Sequence, residues 1–298
     1  MADETSKQGL TVKAEGVEDP WNLWYTELHK GVVGQTFKIE RVLESRESAI
    51  QRIDVLENPW FGKMLALYGS LMVAENDHNA YNEMITHVPL FVHPAPKRVL
   101  IIGGGDCGAL TEVMKHSEVE ACTMCEIDAE VVATARRHFP ALTRGLEDPR
   151  AEVVYRDGKE FIRESKTQFD VIILDLSDPI GPAQALFQKP FHQELFNRLN
   201  DDGILVAQAE SPLFNGDAMK PMYLNLKDIF PIVKPYTCLM PIYPSSYWAF
   251  MFCSKTYDPI SDRRDDGWAQ LADKTRYYNP ETHEAAFALP QFVKKLLA

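Results

Sequence analysis

The chain changes its hydrophobic pattern near residue 80. Before that point, short segments with alternating apolar and polar positions are separated by turn residues, among them Asn58-Pro59, Gly62 and Gly69. Alternation with a period of two predicts strands with one buried face, and turns at this spacing predict a small antiparallel sheet over residues 21–80. Residues 1–20 are mostly polar and follow no period, so we expect a flexible tail there.

From residue 81 to residue 298 the pattern alternates between apolar runs and stretches with helical periodicity. The apolar runs are RVLIIGGG, EACTMCEID, AEVVYRDG, FDVIILDLSDP and GILVAQAES. Strands that alternate with helices predict a parallel sheet, because parallel neighbours need a long crossover connection. The predicted fold class is therefore α/β, with a parallel-sheet domain over residues 81–298 behind a small β-domain over residues 21–80.

The first apolar run leads into a glycine-rich turn, Gly103-x-Gly105-x-x-Gly108, which a helical segment follows. This pattern is typical of two kinds of site, those for dinucleotide pyrophosphates and those for S-adenosyl ligands. Asp106 lies inside the turn, where a carboxylate repels a pyrophosphate and attracts an ammonium or sulfonium ion. The turn therefore favours a cationic ligand.

Acidic residues stand at the ends of successive predicted strands. They are Asp106, Glu126, Asp157 and Asp175. In an open parallel sheet, ligands bind beyond the carboxyl ends of the strands, where Glu126 can accept from both ribose hydroxyls and Asp157 from an adenine amino group. Each acid alone is also an ordinary turn residue, but the series predicts a pocket with a strongly negative potential.

Composition and charge exclude several classes of partner. The 298 residues carry a formal net charge of −12 and a pI near 5.2, whereas binding to nucleic acid needs a basic face. No apolar run reaches the roughly 18 residues of a membrane span, and the first residues are too polar for a signal peptide. We therefore expect a cytoplasmic protein that binds neither nucleic acid nor membrane.

The cysteines predict no metal site. There are 5 of them at irregular spacing, which indicates reduced thiols rather than a disulfide framework. The pair with metal-like spacing, Cys122-x-x-Cys125, falls in a predicted strand, so its side chains should point to opposite faces.

Longer motifs carry a family resemblance. In order along the chain they are GGGDCGALTEVMKH, CEID, DGKEF, LDLSDPIGPAQALF, QAES, PIYPSSYWAF and RYYNPETHEAAFALPQFVKKLLA. From about Trp24 to the C-terminus the chain resembles the spermidine synthases, which are aminopropyltransferases. The resemblance implies a Rossmann-like domain of the class I methyltransferase type, assembled as a homodimer. It implies decarboxylated S-adenosylmethionine as co-substrate, putrescine as acceptor, and no metal or prosthetic group.

The resemblance also assigns the site residues. An amine with a pKa of about 10 is protonated at pH 7, and Asp175 matches the residue that takes its proton before attack. The matched donor-binding residues are Gln51, Met72, Asn82, Asp106, Glu126, Asp157, Gly158 and Asp175. The matched acceptor-binding residues are Trp24, Tyr81, Asp178, Gln208, Glu210 and Tyr243. The implied products are spermidine and methylthioadenosine.

Some residues near the expected reacting centre depart from the family pattern, which usually reads LDGxxQxTExDExxYHE where this chain reads LYGSLMVAENDHNAYNE. The departures along the chain are Tyr68, Met72, His78, Asn82, Cys107, Leu176 and Ser246. Tolerated drift is one explanation of these changes, and altered substrate choice is the other.

Two alternatives to spermidine formation stay open. A family member with altered specificity would use another diamine, agmatine or spermidine as acceptor, or would transfer methyl from S-adenosylmethionine to an amine. A binding protein would sense polyamine or nucleoside without catalysis. An acid-rich pocket should reject the carboxylate of S-adenosylmethionine, and the presence of Asp175 and Asp178 favours an enzyme.

Overall fold

The computed structural model describes residues 22–177 and 185–298. The first six strands are β1 (Leu23–His29), β2 (Val33–Ile39), β3 (Arg41–Glu47), β4 (Arg52–Asn58), β5 (Gly62–Leu67) and β6 (Ser70–Ala74). The predicted antiparallel sheet is present but divided, because the chain leaves one sheet and enters the next at Glu40. Strands β1 and β2 form a two-stranded hairpin, and β3 to β6 form a four-stranded antiparallel meander.

Helices and strands alternate in the rest of the chain. They are α1 (Asn79–Val92), β7 (Arg98–Gly103), α2 (Gly108–Val113), β8 (Ala121–Glu126), α3 (Ala129–His138), β9 (Ala151–Tyr155), α4 (Gly158–Glu164), β10 (Phe169–Asp175), α5 (Lys189–Arg198), β11 (Leu199–Gln208), α6 (Gly216–Lys227), β12 (Ile232–Leu239), β13 (Tyr247–Ser254), α7 (Trp268–Leu271), α8 (Pro280–Ala286) and α9 (Gln291–Leu297). Within the described ranges, no helix combines the length and the apolar character that a bilayer crossing requires.

Seven strands form the central sheet, in the order β12-β13-β11-β10-β7-β8-β9. The five strands predicted from the apolar runs are β7 to β11, and all of them are parallel. Strand β13 runs antiparallel to both β11 and β12. The predicted α/β class with a mostly parallel sheet is thus confirmed. From β7 the chain adds β8 and β9 on one side, and then crosses to add β10 and β11 on the other side. The strand order thus reverses between β7 and β10, and an open parallel sheet forms a ligand crevice at such a point, beyond the carboxyl ends of its strands.

Both faces of the sheet are buried, as a parallel sheet requires. Along β7, Ile101 packs into one hydrophobic cluster and Ile102 into the cluster on the opposite side. On β8, Cys122 belongs to the first cluster and Cys125 to the second. The two cysteine side chains therefore point to opposite faces, as the strand pattern predicted.

Helix α1 is the central buried helix, since every residue from Ala80 to Val92 is buried. Its Glu83 is fully buried and accepts hydrogen bonds from the backbone N–H groups of Arg276, Tyr277 and Tyr278, at 2.7 to 3.1 Å. A carboxylate satisfies several amide donors at once. Glu83 therefore fastens the C-terminal segment to α1.

We expect the Glu83→Gln substitution to destabilise the protein. One amide oxygen cannot replace the acceptor capacity of a carboxylate, and the new NH2 group would face N–H donors. The free energy of unfolding should fall by about 2–4 kcal/mol, measured by urea denaturation. Glu284→Gln on the exposed side of α8 is the matched control and should change it by about 0.5 kcal/mol or less. Equal effects of the two substitutions would contradict this role of Glu83.

Candidate active site

A cavity of about 160 Å³ lies at the carboxyl ends of β7, β8 and β10 and is closed on one side by the β5–β6 hairpin. The residues singled out from the sequence that line it are Gln51, Met72, Tyr81, Asp106, Glu126, Asp157, Gly158, Asp175 and Tyr243. Of the departures from the family pattern, Tyr68 and Leu176 line it as well as Met72. The sheet topology thus brings the acids of four separate strand ends to one cavity.

The glycine turn packs tightly against the end of β10. The Gly104 amide donates to the carbonyl oxygen of Asp175 at 2.8 Å. At Gly103, where φ is +82°, a Cβ atom would lie 2.1 Å from the same oxygen, so no other residue fits. Cys107 also has a positive φ, +67°, which a cysteine adopts only with strain. This position is one where the family usually has glycine, so the departure has a local cost.

Asp175 projects into the cavity from the end of β10. The Tyr81 hydroxyl donates to its Oδ1 at 2.7 Å, whereas Oδ2 has no hydrogen-bond partner among the described residues. Burial, followed by the negative charge of Asp106 and then that of Glu126, raises the pKa of Asp175 to about 8; the bond from Tyr81 acts in the opposite direction. One carboxylate oxygen is therefore oriented and the other is available to a ligand.

The neighbouring acids are also shifted upwards. Burial raises the pKa of Asp106 to about 6, although the Gly108 amide donates to its Oδ1 at 2.7 Å. Burial raises the pKa of Glu126 to about 7, against the hydrogen bond from the Asp128 amide. No lysine or arginine is among the described residues that line the cavity. Together with Asp157, these three acids give the cavity four carboxyl groups and no fixed positive charge among its described lining residues, an arrangement that attracts a cation.

Two further predicted residues lie at the start of α4. Asp157 caps this helix, because its side chain accepts from the amides of Lys159 and Glu160, at 2.8 and 3.1 Å. Asp157 therefore has the local structural role that its position after a strand suggested, and it also lines the cavity. At Gly158 a Cβ atom would come within 2.5 Å of Ile102, so the close approach of α4 to the sheet requires glycine.

A second, smaller cavity of about 20 Å³ adjoins the first and shares Met72, Tyr81 and Tyr243 with it. The Tyr243 hydroxyl donates to the backbone oxygen of Met72 at 2.6 Å and so fixes the wall between them. Gln208, which the sequence singled out, lines this cavity. So do three residues that sequence reasoning missed: Glu27, His29 and Trp248. The apolar and polar alternation of β1 was the available signal, since it places Glu27 and His29 on one face.

Three predicted residues that the structure describes do not line either cavity. Trp24 lies on the outer face of β1 and is 53% exposed. Asn82 is buried against Gly108, where a Cβ atom would lie 2.1 Å from Asn82 Nδ2. Glu210 is buried and accepts from Asn215 Nδ2 at 2.6 Å. Asp178 falls outside the described residues.

Comparison with known protein families gives two matches that together span most of the chain. Residues 78–263 match the model of the spermine/spermidine synthase domain. Residues 23–75 match the model of the spermidine synthase tetramerisation domain. The border between the two matches falls between β6 and α1, so the second match covers the hairpin and the meander.

Similar proteins cover nearly the full length. The polyamine aminopropyltransferase of Caldicellulosiruptor saccharolyticus is 44% identical over 275 residues, which are 92% of this chain and 98% of the relative. That of Thermotoga neapolitana is 45% identical over 278 residues, 93% of this chain and 94% of the relative. A crystal structure of a spermidine synthase in complex with the transition state analogue AdoDATO superposes with a TM-score of 0.91 at 42% identity, covering 96% of this chain and 98% of the other.

The expectation of a homodimer is wrong. The match of residues 23–75 to a tetramerisation domain points to a tetramer. The motifs that carry the resemblance begin at Gly103 and run to the C-terminus, so none of them lies in residues 23–75, where the tetramerisation domain matches.

The raised pKa of Asp175 predicts a pH-dependent stability. Its carboxyl group has a pKa of about 8 in the folded chain and about 4 in an unfolded chain. Between these values the folded protein binds more protons than the unfolded protein, so this group makes stability fall as pH rises. The free energy of unfolding of Asp175→Asn minus that of the parent, measured by urea denaturation, should therefore increase from pH 6 to pH 8, by at most about 1.4 kcal/mol per pH unit.

Asp273→Asn is the control for this measurement, because Asp273 is exposed and lies outside the cavity. Its difference from the parent should be the same at each pH. If the Asp175→Asn difference were equally flat, the assignment of a raised pKa to Asp175 would be refuted.

Proposed function

Since the chain belongs to the spermine/spermidine synthase family of aminopropyltransferases, we propose that it transfers the aminopropyl group of decarboxylated S-adenosylmethionine to putrescine, giving spermidine and methylthioadenosine. The observation that carries the proposal is the cavity with four carboxyl groups, and no lysine or arginine, among its described lining residues. The donor brings two positive charges, a sulfonium and an ammonium, into this cavity. S-adenosylmethionine would also bring a carboxylate, which Asp106 and Asp175 would repel.

The donor binds across the ends of β7 to β10 in this proposal. Glu126 accepts hydrogen bonds from the ribose hydroxyls, since a carboxylate can take both. Asp157 and Gly158 hold the adenine side, and Asp106 and Asp175 face the sulfonium and the ammonium. The shared cavity of these residues supports the assignment. The donor therefore lies with its aminopropyl end towards Tyr81 and the second cavity.

The acceptor amine occupies the second cavity in this proposal. Tyr81 and Tyr243 line both cavities and so flank the place where donor and acceptor meet. Gln208 and Glu27 lie further along, and the buried carboxyl group of Glu27 suits the far ammonium of a diamine. The acceptor is thus held by one acid at each end, Asp175 at the reacting nitrogen and Glu27 at the other.

Asp175 acts as the proton acceptor. Binding of the doubly charged donor stabilises the ionised carboxylates, so Asp175 is charged in the complex. Charged Asp175 takes a proton from the acceptor ammonium, because only the neutral amine has a lone pair with which to attack. The C–N bond then forms at the carbon next to the sulfonium as the C–S bond breaks, and methylthioadenosine leaves with the electron pair of that bond. The Tyr81 hydroxyl holds the carboxylate in place, at 2.7 Å from Oδ1.

The proposed reaction needs no metal or prosthetic group, because the sulfonium of the co-substrate is already an activated leaving group. Both substrates are water-soluble cations of the cell interior, and this fits the cytoplasmic location expected from the sequence.

Product analysis of the parent tests the proposed reaction, and the kcat of Asp175→Asn tests the role of Asp175. The parent with decarboxylated S-adenosylmethionine and putrescine should release methylthioadenosine. Release of S-adenosylhomocysteine from S-adenosylmethionine would indicate methyl transfer, and release of neither product would indicate a sensor.

An amide is nearly isosteric with a carboxylate but takes no proton, so kcat of Asp175→Asn should fall about 10²–10⁴-fold. Glu126→Gln is the contrasting variant: its binding of methylthioadenosine should weaken by about 1.5–3 kcal/mol, with a smaller change in kcat. Activity of Asp175→Asn within a few fold of the parent would rule out Asp175 as the base.

The raised pKa values also predict how donor affinity depends on pH. Asp106, Glu126 and Asp175 ionise at about 6, about 7 and about 8 in the free site, and only their ionised forms attract the donor's charges. The donor should therefore bind more tightly as pH rises from about 5.5 to about 8.5, whereas neutral methylthioadenosine gains less. Calorimetry should show the ratio of the two Kd values changing by about tenfold or more, since one pKa unit corresponds to about 1.4 kcal/mol. A ratio that stays constant over this range would contradict the electrostatic account.

A further inference from the structure

The turn between β5 and β6 consists of two residues, Tyr68 and Gly69, which lie between the paired residues Leu67 and Ser70. Both turn residues have a positive φ, +52° at Tyr68 and +86° at Gly69, as a tight type I′ turn requires. Asparagine, aspartate and glycine adopt this conformation readily, whereas a bulky aromatic residue adopts it only with strain. The family pattern has aspartate at this position, so this chain has exchanged a favourable turn residue for an unfavourable one.

The side chain of Tyr68 is fixed in one direction. Its hydroxyl donates to the carbonyl oxygen of Ile50 at 2.6 Å, and Ile50 lies in the turn between β3 and β4. Its backbone amide donates to the carbonyl oxygen of Arg52, on β4, at 3.1 Å. The residue is therefore held at its backbone and at the far end of its ring, although it is 62% exposed.

This fixed direction places Tyr68 on the main cavity, which Ile50 and Gln51 line beside it. Gln51 Nε2 donates to Asp128 Oδ2 at 3.1 Å, and the Asp128 amide donates to Glu126 Oε1 at 2.9 Å. These two bonds connect the wall formed by the β-domain to the strand end that carries Glu126. Tyr68 thus belongs to the end of the cavity where the ribose is assigned.

The stability of the free chain gives no reason for the strain at Tyr68. A ring that is mostly exposed buries little apolar surface, and an exposed hydrogen bond between neutral groups adds little. Strained backbone positions persist mainly at sites where the side chain serves a ligand or a reaction. The partner that makes this tyrosine useful is therefore a molecule in the cavity.

We propose that Tyr68 binds the nucleoside of the donor: its ring covers the bound ribose from the side of the β5–β6 hairpin, and its bond to Ile50 keeps the ring there. The hydroxyl groups of the ribose face Glu126 in the proposed function, which leaves the C–H surface of the sugar to an apolar partner. The inference rests on the proposed function, because the cavity is taken there as the donor site. It adds to that site a contact that the family pattern, with aspartate at this position, does not contain.

The substitution Tyr68→Asn tests the inference, because it removes the ring and also relieves the turn. Asparagine favours a positive φ, so the urea midpoint of unfolding should stay at the parental value or rise. The Kd for methylthioadenosine, measured by calorimetry, should rise about tenfold, since part of a large apolar contact is lost. A residue that only supported the hairpin would not lose binding while stability is kept.

Two further variants separate the contributions. Tyr68→Phe keeps the ring and loses the bond to Ile50, so its Kd for methylthioadenosine should rise only about threefold. Trp60→Asn is the matched control, because Trp60 is 81% exposed in the turn between β4 and β5 and is not among the described residues that line the cavity. Its Kd should equal that of the parent.

Two results would overturn the inference. One is a Kd of Tyr68→Asn within twofold of the parental value, which would leave the proposed function standing. The other is a Tyr68→Asn variant that loses stability together with binding, which would make Tyr68 a support of the hairpin. A parent that releases no methylthioadenosine from decarboxylated S-adenosylmethionine with any amine refutes the proposed function, whereas calorimetry with methylthioadenosine still decides the role of Tyr68.

Discussion

The site depends on one close contact, that of the glycine turn with the end of β10. The Gly104 amide donates to the carbonyl oxygen of Asp175, and the missing side chain at Gly103 makes this approach possible. Because the strand order reverses between β7 and β10, the contact brings Asp106 and Asp175 together from two strands that are distant in sequence. A Cβ atom at Gly103 would force the two strand ends apart, and the negative cavity would open with them.

Crowding of carboxyl groups is costly to the free protein. Burial without a fixed positive neighbour raises the pKa of Asp106, Glu126 and Asp175, which means that ionising them in the folded chain is unfavourable. A lysine in the cavity would relieve this cost, but it would also occupy the place of a cationic substrate. The protein leaves the charge unbalanced instead, so the ligand supplies the missing cations. Stability is thereby exchanged for affinity, as is common at functional sites.

The sequence alone was sufficient to predict the central sheet and the acidic residues at the ends of its strands. An apolar run that ends in glycine or an acid is a strong local signal, so strands β7 to β10 could be predicted. Parallel strands bring their carboxyl ends to one edge of the sheet, so the acids from Asp106 to Asp175 could be predicted to lie together there. Glu27 and His29 could not, because they reach the second cavity through contacts of β1 with residues more than 40 positions away. The division of the N-terminal strands into two sheets is also a long-range property that no local pattern reports.

The departures from the family pattern differ in what they can do, and the difference lies in their contacts. Asn82 is packed against Gly108 at the start of α2, so its side chain is constrained by the glycine turn rather than by a substrate. Met72 lines both cavities, and what holds it is the bond from the Tyr243 hydroxyl to its backbone oxygen. That bond is independent of the side chain at this position. The side chain at residue 72 can therefore change while the wall between the cavities keeps its shape.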